Sequence, residues 1–167
     1  HLVLLCKNRQ GYENLCYMVS EAFLHGFYGK PRIDLELLRQ RHEGLIALSA
    51  CLAGAIPQAL MNESYASAKA YALQMADIMG EGNFYLELQN HGIPEQLAVN
   101  QGIGRLARET GLPLVVTNDA HYLRREDAQM QKVLVCIQTG TTVDDPSPMA
   151  FATEEFYLKS EEEMRAL

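Results

Sequence analysis

Short apolar runs alternate with segments whose apolar residues recur at helical spacing, nearly to the end of the chain. Residues 1–6 are apolar almost throughout and predict a buried strand. A helix follows over about 11–25, with Tyr12, Leu15, Cys16, Val19, Ala22 and Phe23 on one face, until Gly26 and Gly29-Lys30-Pro31 break it. Asp34 then caps a short helix with Leu37 and Leu38 toward the core, and Gly44 closes it. Residues 45–51 predict the second strand, and 55–62 a short helix with Pro57 in its first turn. The next helix carries Ala68, Tyr71, Ala72, Met75, Ile78 and Met79 on one stripe, as core filler, and stops at Gly80. Residues 84–88 form the third strand, followed by the loop Gln89-Asn90-His91-Gly92 and a helix that Pro94 opens and Gly111 ends. Leu114-Val115-Val116 leads a fourth strand into Thr117-Asn118-Asp119, and a last helix covers about 125–138 with Val133, Leu134 and Ile137 inward. Beyond Gly140 the pattern decays into Asp144-Asp145-Pro146 and an acidic tail, Glu161-Glu162-Glu163.

Strands that alternate with helices and are apolar along their length imply an α/β fold, a parallel sheet covered by helices. Four strands are too few for a closed barrel, and they form either a small open sheet or an arc of a barrel completed elsewhere. At 167 residues, 48% hydrophobic and 21% charged, the chain has the makeup of a packed soluble domain or part of one. Its net charge of −7 argues against a surface that grips a phosphate backbone unaided. Cys6, Cys16, Cys51 and Cys136 are scattered without a Cys-x-x-Cys pair, which fits reduced thiols in a cytoplasmic protein. No apolar stretch is long enough to span a bilayer, so no membrane partner is expected. The abrupt start on an apolar run reads as an internal piece of a longer protein.

In parallel α/β folds, functional groups collect just beyond the C-terminal ends of strands. Three strands end there in polar groups: Cys51 after the second, Gln89 and His91 after the third, Asp119-Ala120-His121-Tyr122 after the fourth. Asp119 and His121 share a side of an extended segment, and a carboxylate oxygen beside an imidazole nitrogen suits a divalent ion such as Zn²⁺ or Mn²⁺. A thiolate from Cys51 would tilt the preference toward zinc. Each has a plainer reading beside it. Asp119 can cap the following turn, His121 can be hydrogen-bonded nearby, and Cys51 can be core packing, as Cys6, Cys16 and Cys136 are taken to be. His25 and His42 fall at helix ends, where exposure or a dipole contact explains them. His91 is either a residue behind the ligands or an ordinary loop histidine. Glu87, between Leu86 and Leu88, needs a partner if the sheet is covered on both faces. Arg105, Arg108, Arg124 and Arg125 are too dispersed for a phosphate track. No Gly-rich phosphate loop, Ser/His/Asp set or His-Glu-x-x-His helix is present.

Several blocks in order resemble one family: residues 1–12, 44–51 (Gly-Leu-Ile-Ala-Leu-Ser-Ala-Cys), 84–92 and 117–122. They are similar to the PHP (polymerase and histidinol phosphatase) domain, in the version found at the N-terminal side of bacterial DNA polymerase III alpha subunits. Residues 136–140 and 155–164 resemble that family's passage toward the polymerase. The resemblance implies a division into residues 1–140, the later part of the PHP domain, and 141–167, the passage. It further implies a distorted (β/α)₇ barrel whose strand ends hold a cluster of metal ions, zinc first, with Mn²⁺ or Mg²⁺ as alternatives. The family's later ligand positions map onto His1, Cys51, Asp119 and His121; its earlier ones, a His-x-His pair among them, fall before His1. Glu87 and His91 would stand behind these ligands. Ala55 occupies a place where the family's Ala-Gly-Glu-Ile string has Glu, a position that is not among the ligands. Some members use the barrel as a proofreading exonuclease, others as a scaffold that braces the polymerase or docks a proofreading subunit. A free-standing PHP phosphatase is a further alternative. The implied partners are DNA and other replicase subunits, through the parent protein, while the piece itself is expected to be inactive.

Overall fold

The computed structural model describes residues 1–145 and 151–167, so Pro146 of the Asp144-Asp145-Pro146 turn lies outside the described residues. The chain divides into two compact units, His1–Glu87 with Gly102–Val115, and Leu88–Gln101 with Val116–Leu167.

The strands β1 (Val3–Cys6), β2 (Leu45–Leu48), β3 (Phe84–Leu88) and β4 (Leu114–Val116) stand in sequence order across one sheet, all but Leu88 and Val116 in the first unit. β2 and β3 are parallel. The bonds from Leu86 N to Pro113 O and from Thr117 N to Leu88 O advance together, as parallel pairing of β3 with β4 requires. β1, however, runs antiparallel to β2, with Cys6 opposite Leu45, so the expectation of a wholly parallel sheet is corrected at this edge. The two helices expected between these strands are present: α1 (Arg9–Leu24) and α2 (Leu35–Arg41). One carries the chain away and the other brings it back, so Lys7 N, just past β1, donates to Gly44 O, just before β2. α3 (Ala55–Asn62) and α4 (Tyr65–Met79) connect β2 to β3, and α5 (Pro94–Thr110) connects β3 to β4.

Asn8, Asp34 and Ser64 each accept a hydrogen bond from the third residue beyond, satisfying a first-turn amide of α1, α2 and α4. Of the expected face of α1, Ala22 is buried but Tyr12, Cys16, Val19 and Phe23 are not. Gly11, Asn14, Met18 and Ala22 point inward, while Tyr12 and Phe23 are 53% and 59% exposed. Its rotation is set by backbone contact: a Cβ on Gly11 would lie 1.9 Å from Gly44 O, and Asn14 donates to Glu43 O. These contacts outweigh the apolar stripe. β1 is likewise not the buried strand expected, because an edge strand has a neighbour on one side only; Val3, Leu5 and Cys6 are exposed. Cys16 is exposed as well, so packing explains neither Cys6 nor Cys16, whereas Cys136 is buried.

The core of this unit is Met18, Leu38, Leu45, Ile56, Met75, Ile78, Met79, Phe84, Leu86, Ile103 and Leu106. Glu109 on α5 joins it to α4, bonded by Lys69 at 2.8 Å and Arg105 at 2.7 Å, with Arg105 stacked 3.9 Å over the Tyr65 ring. The hydrogen bonds from Lys69 and then Arg105 hold the Glu109 carboxyl at about 2.

In the second unit a 3₁₀ turn, Arg125–Asp127, leads into α6 (Ala128–Thr139), which Gly140 ends at φ 68°. Cys136 is the one fully buried position of α6, while Leu134 and Ile137 are 58% and 73% exposed, so two of the three residues expected inward face out. The helix is apolar on nearly every side from 133 to 137, and periodicity cannot select a face there. A further helix, α7 (Glu161–Arg165), stands where only an acidic tail was expected, with Ser160 and Glu163 in a reciprocal capping box. The Lys159 ammonium packs 4.0 Å over the Tyr157 ring and binds Glu155 at 3.1 Å. Burial alone would raise the Glu155 carboxyl, but Lys159 and Arg125 outweigh it and hold it below its ordinary range. Among the described residues no helix is long and apolar enough to cross a membrane.

Candidate metal centre

Cys51 sits half-buried in a tight loop that follows β2 in the first unit. Ser49 N donates to Tyr85 O at 3.1 Å, and Ser49 Oγ accepts from Glu87 N at 2.8 Å. The buried Glu87 carboxylate in turn accepts from Ala50 N, which is the partner its place in the sheet demanded. Ala50 is held at φ 67°, a conformation that L side chains seldom adopt. Gly54 N closes the loop on Cys51 O at 2.8 Å, and a side chain at Gly54 would meet Ser49 O at 2.2 Å. Gln58 donates to Leu52 O at 2.7 Å. The amino group of His1 reaches this same loop, donating to Ala53 O at 3.3 Å.

Asp119 and His121 belong to the second unit. His121 Nε2 lies 3.6 Å from Asp119 Oδ1, both side chains partly exposed; the two meet although Asp119, at φ 41°, departs from the extended backbone on which a shared side was expected. Two donors each about 2.0–2.1 Å from one tetrahedral zinc would stand roughly 3.3 Å apart, so this oxygen and nitrogen fit two corners of such an ion. Asp119 has φ 41° and is, with Ala50, one of two non-glycine residues at positive φ among those described. Among the described residues no group of three or more His, Cys, Asp or Glu side chains converges as a metal site. The donors brought together are therefore a pair.

Behind that pair lies a polar network that sequence reasoning found only in part. His91 is fully buried. Its Nε2 is 2.7 Å from Asn118 O, and a carbonyl can only accept, so the proton sits on Nε2. Nδ1 then accepts from Gln96 Nε2 at 2.7 Å, while Gln96 Oε1 accepts from His91 N at 2.8 Å. The ring stacks on Phe156 at 4.0 Å. Asn118 donates its side-chain amide to Glu155 O and Tyr157 O, and His121 N donates to Phe156 O at 2.8 Å. Gln89 donates to Thr117 at 3.0 Å. The buried Gln89 Oε1 and Asn118 Oδ1 lack a hydrogen-bond partner among the described residues. Gln96, Asn118 and Phe156 carry no local motif; the polar Thr-Asn-Asp string after β4 was the one signal for Asn118. His25 and His42 make helix-end contacts, to Glu21 at 2.8 Å and to Arg39 O at 2.7 Å.

Residues 1–91 match the PHP domain family. The chain is 50% identical to DNA polymerase III subunit alpha of Thermus aquaticus over 167 residues, all of this chain and 14% of that protein. It is 46% identical to the protein of that name from Borreliella burgdorferi over 164 residues, 98% of this chain and 14% of the relative. For Deinococcus radiodurans the figures are 41% over 165 residues, 99% and 12%. The chain thus spans only a small part of the length of the relatives it matches.

Proposed function

The chain belongs to the PHP domain family, and from that membership we propose that it is part of a bacterial DNA polymerase III alpha subunit, with Asp119 and His121 as ligands of a divalent metal ion. The observation that carries the metal reading is the 3.6 Å approach of Asp119 Oδ1 and His121 Nε2 at the end of β4. Cys51 and His1 are further ligand candidates, and Glu87 supports Cys51 by holding the Ala50 amide. The sheet is read as an arc of a distorted (β/α)₇ barrel, a reading supported by the single-sided pairing of β1. The parent would work in the cytoplasm with its DNA template and the other replicase subunits.

A bound divalent ion, zinc or alternatively Mn²⁺ or Mg²⁺, would activate water and neutralise charge on a phosphodiester, supporting 3′–5′ exonuclease chemistry in the intact barrel. Asp119 supplies a hard oxygen and His121 a nitrogen to hold it, while Phe151 and Phe156, 4.5 Å and 5.8 Å from the His121 ring, restrict that ring's orientation. A scaffold role is the second reading, and the failure of three ligands to converge among the described residues favours it for this piece alone. The assay is zinc- or manganese-dependent 3′ degradation of single-stranded DNA by the full-length parent. Asp119→Ala and His121→Ala should each abolish degradation and leave polymerisation largely intact. The 167-residue chain alone should show no turnover. Chelator-sensitive degradation by that piece would sink the incomplete-site reading, and a wild-type parent without degradation would leave the scaffold reading.

A further inference from the structure

We infer that His91 is a positioning residue for the Asp119–His121 pair, acting through the backbone carbonyl of Asn118; the inference rests on the metal-binding reading of that pair. A fully buried imidazole with both nitrogens bonded and its ring flat against Phe156 has one orientation. Its N–H holds the carbonyl of the peptide that joins Asn118 to Asp119. Fixing that carbonyl fixes the peptide plane from which the chain turns at the unusual φ of 41° of Asp119. The other end of the Asp-x-His segment is tied by His121 N to the carbonyl of Phe156, the residue on which His91 stacks. His91 and Phe156 therefore anchor both ends of the tripeptide that presents the two donors. Gln96 completes the device, since its donation to Nδ1 keeps the proton on the Nε2 that faces Asn118. A histidine buried merely as core would owe nothing to the geometry at Asp119.

Two substitutions separate these roles. His91→Phe keeps a flat ring but removes both polar contacts, and His91→Gln retains an N–H near the place of Nε2. NMR on this chain would follow amide hydrogen exchange at His121 and at Leu158, whose N–H donates to Tyr122 O at 3.0 Å, with Ala47, donating to Asn83 O, and Ser49, donating to Tyr85 O, as controls for the fold. The same samples would be titrated with Zn²⁺, reading shifts at Asp119 and His121. His91→Phe should speed exchange at His121 and Leu158 with the controls unchanged. It should also weaken zinc binding by about 10-fold or more, the usual cost of losing a residue behind a ligand. His91→Gln should recover most of both. Unchanged zinc affinity in His91→Phe, or acceleration of the controls without rescue by His91→Gln, would overturn the inference. If His91→Phe fails to fold, Gln96→Leu tests the same clamp by removing the Nδ1 donor, and unaltered exchange and affinity there would overturn it too. A wild-type chain with no zinc response at Asp119 or His121 fails the metal reading itself, and the exchange contrast then decides the clamp by itself.

Discussion

Ala50 occupies the left-handed region at φ 67° while its side chain is buried, two circumstances with opposite consequences for a glycine at that position. Glycine would relieve about 1 kcal/mol of strain, yet lose a buried methyl and gain freedom in the unfolded chain. The effects nearly cancel, so Ala50→Gly should shift stability by less than about 0.5 kcal/mol, whereas Ala47→Gly, inside β2, should cost about 1 kcal/mol or more. Urea denaturation of the two variants side by side checks this. Glu87→Ala should be worse than either, by about 1–3 kcal/mol, because it strands the buried Ala50 amide. At this scale the spacing of Asp119 and His121 suggested a shared side on an extended segment, and the two side chains do approach, but from a backbone that is left-handed at Asp119. The left-handed backbone beneath Ala50 is not legible, since alanine seldom adopts positive φ, whereas aspartate is among the residue types that reach it more often.

Helix α4 is joined to α5 by Glu109, whose carboxyl is held at about 2 by hydrogen bonds from Lys69 and Arg105. A carboxyl depressed in the folded state stabilises it above the ordinary carboxylate range, and that contribution is lost as pH falls from about 4.3 toward 2. Thermal melts between pH 6 and pH 2 should therefore show less acid sensitivity in Glu109→Gln, together with a lower melting temperature near neutrality. A cap is the feature of an element that the sequence states most clearly: Asp34, expected to cap α2, satisfies the amide of Leu37, which depends on nothing distant, and Ser64 caps α4 in the same way without having been singled out. Helix faces are less legible. α1 is turned by Gly11 and Asn14 against 43–44, contacts made across the chain, and a stripe count cannot see them. Strand direction at β1 is less legible still: two helices separate β1 from β2 and two separate β2 from β3, yet the first pair is antiparallel and the second parallel, so the number of helices does not decide it.

The whole chain leaves apolar surface open in each unit taken separately. In the first, Tyr12, Val19 and Phe23 of α1 and Val3 and Leu5 of the edge strand β1 are exposed. In the second, Met130, Leu134 and Ile137 of α6 are exposed at the spacing of one helix face. An unpaired strand edge and uncovered apolar faces favour association. Sedimentation should show concentration-dependent self-association, reduced in Leu134→Glu/Ile137→Glu if α6 contributes. A clean monomer over a wide concentration range would count against the barrel-arc reading.

Two thiols, Cys6 and Cys16, lie on that same exposed portion of the first unit, on β1 and α1, while Cys136 is buried. They make the surface its own chemical reporter. With iodoacetamide and peptide mapping, Cys6 and Cys16 should alkylate within the first time points, Cys136 only after unfolding, and Cys51 at an intermediate pace. Repeating the labelling on the longer parent protein would then map what covers this face, because a thiol shielded by another part of the chain stops reacting while its neighbours do not.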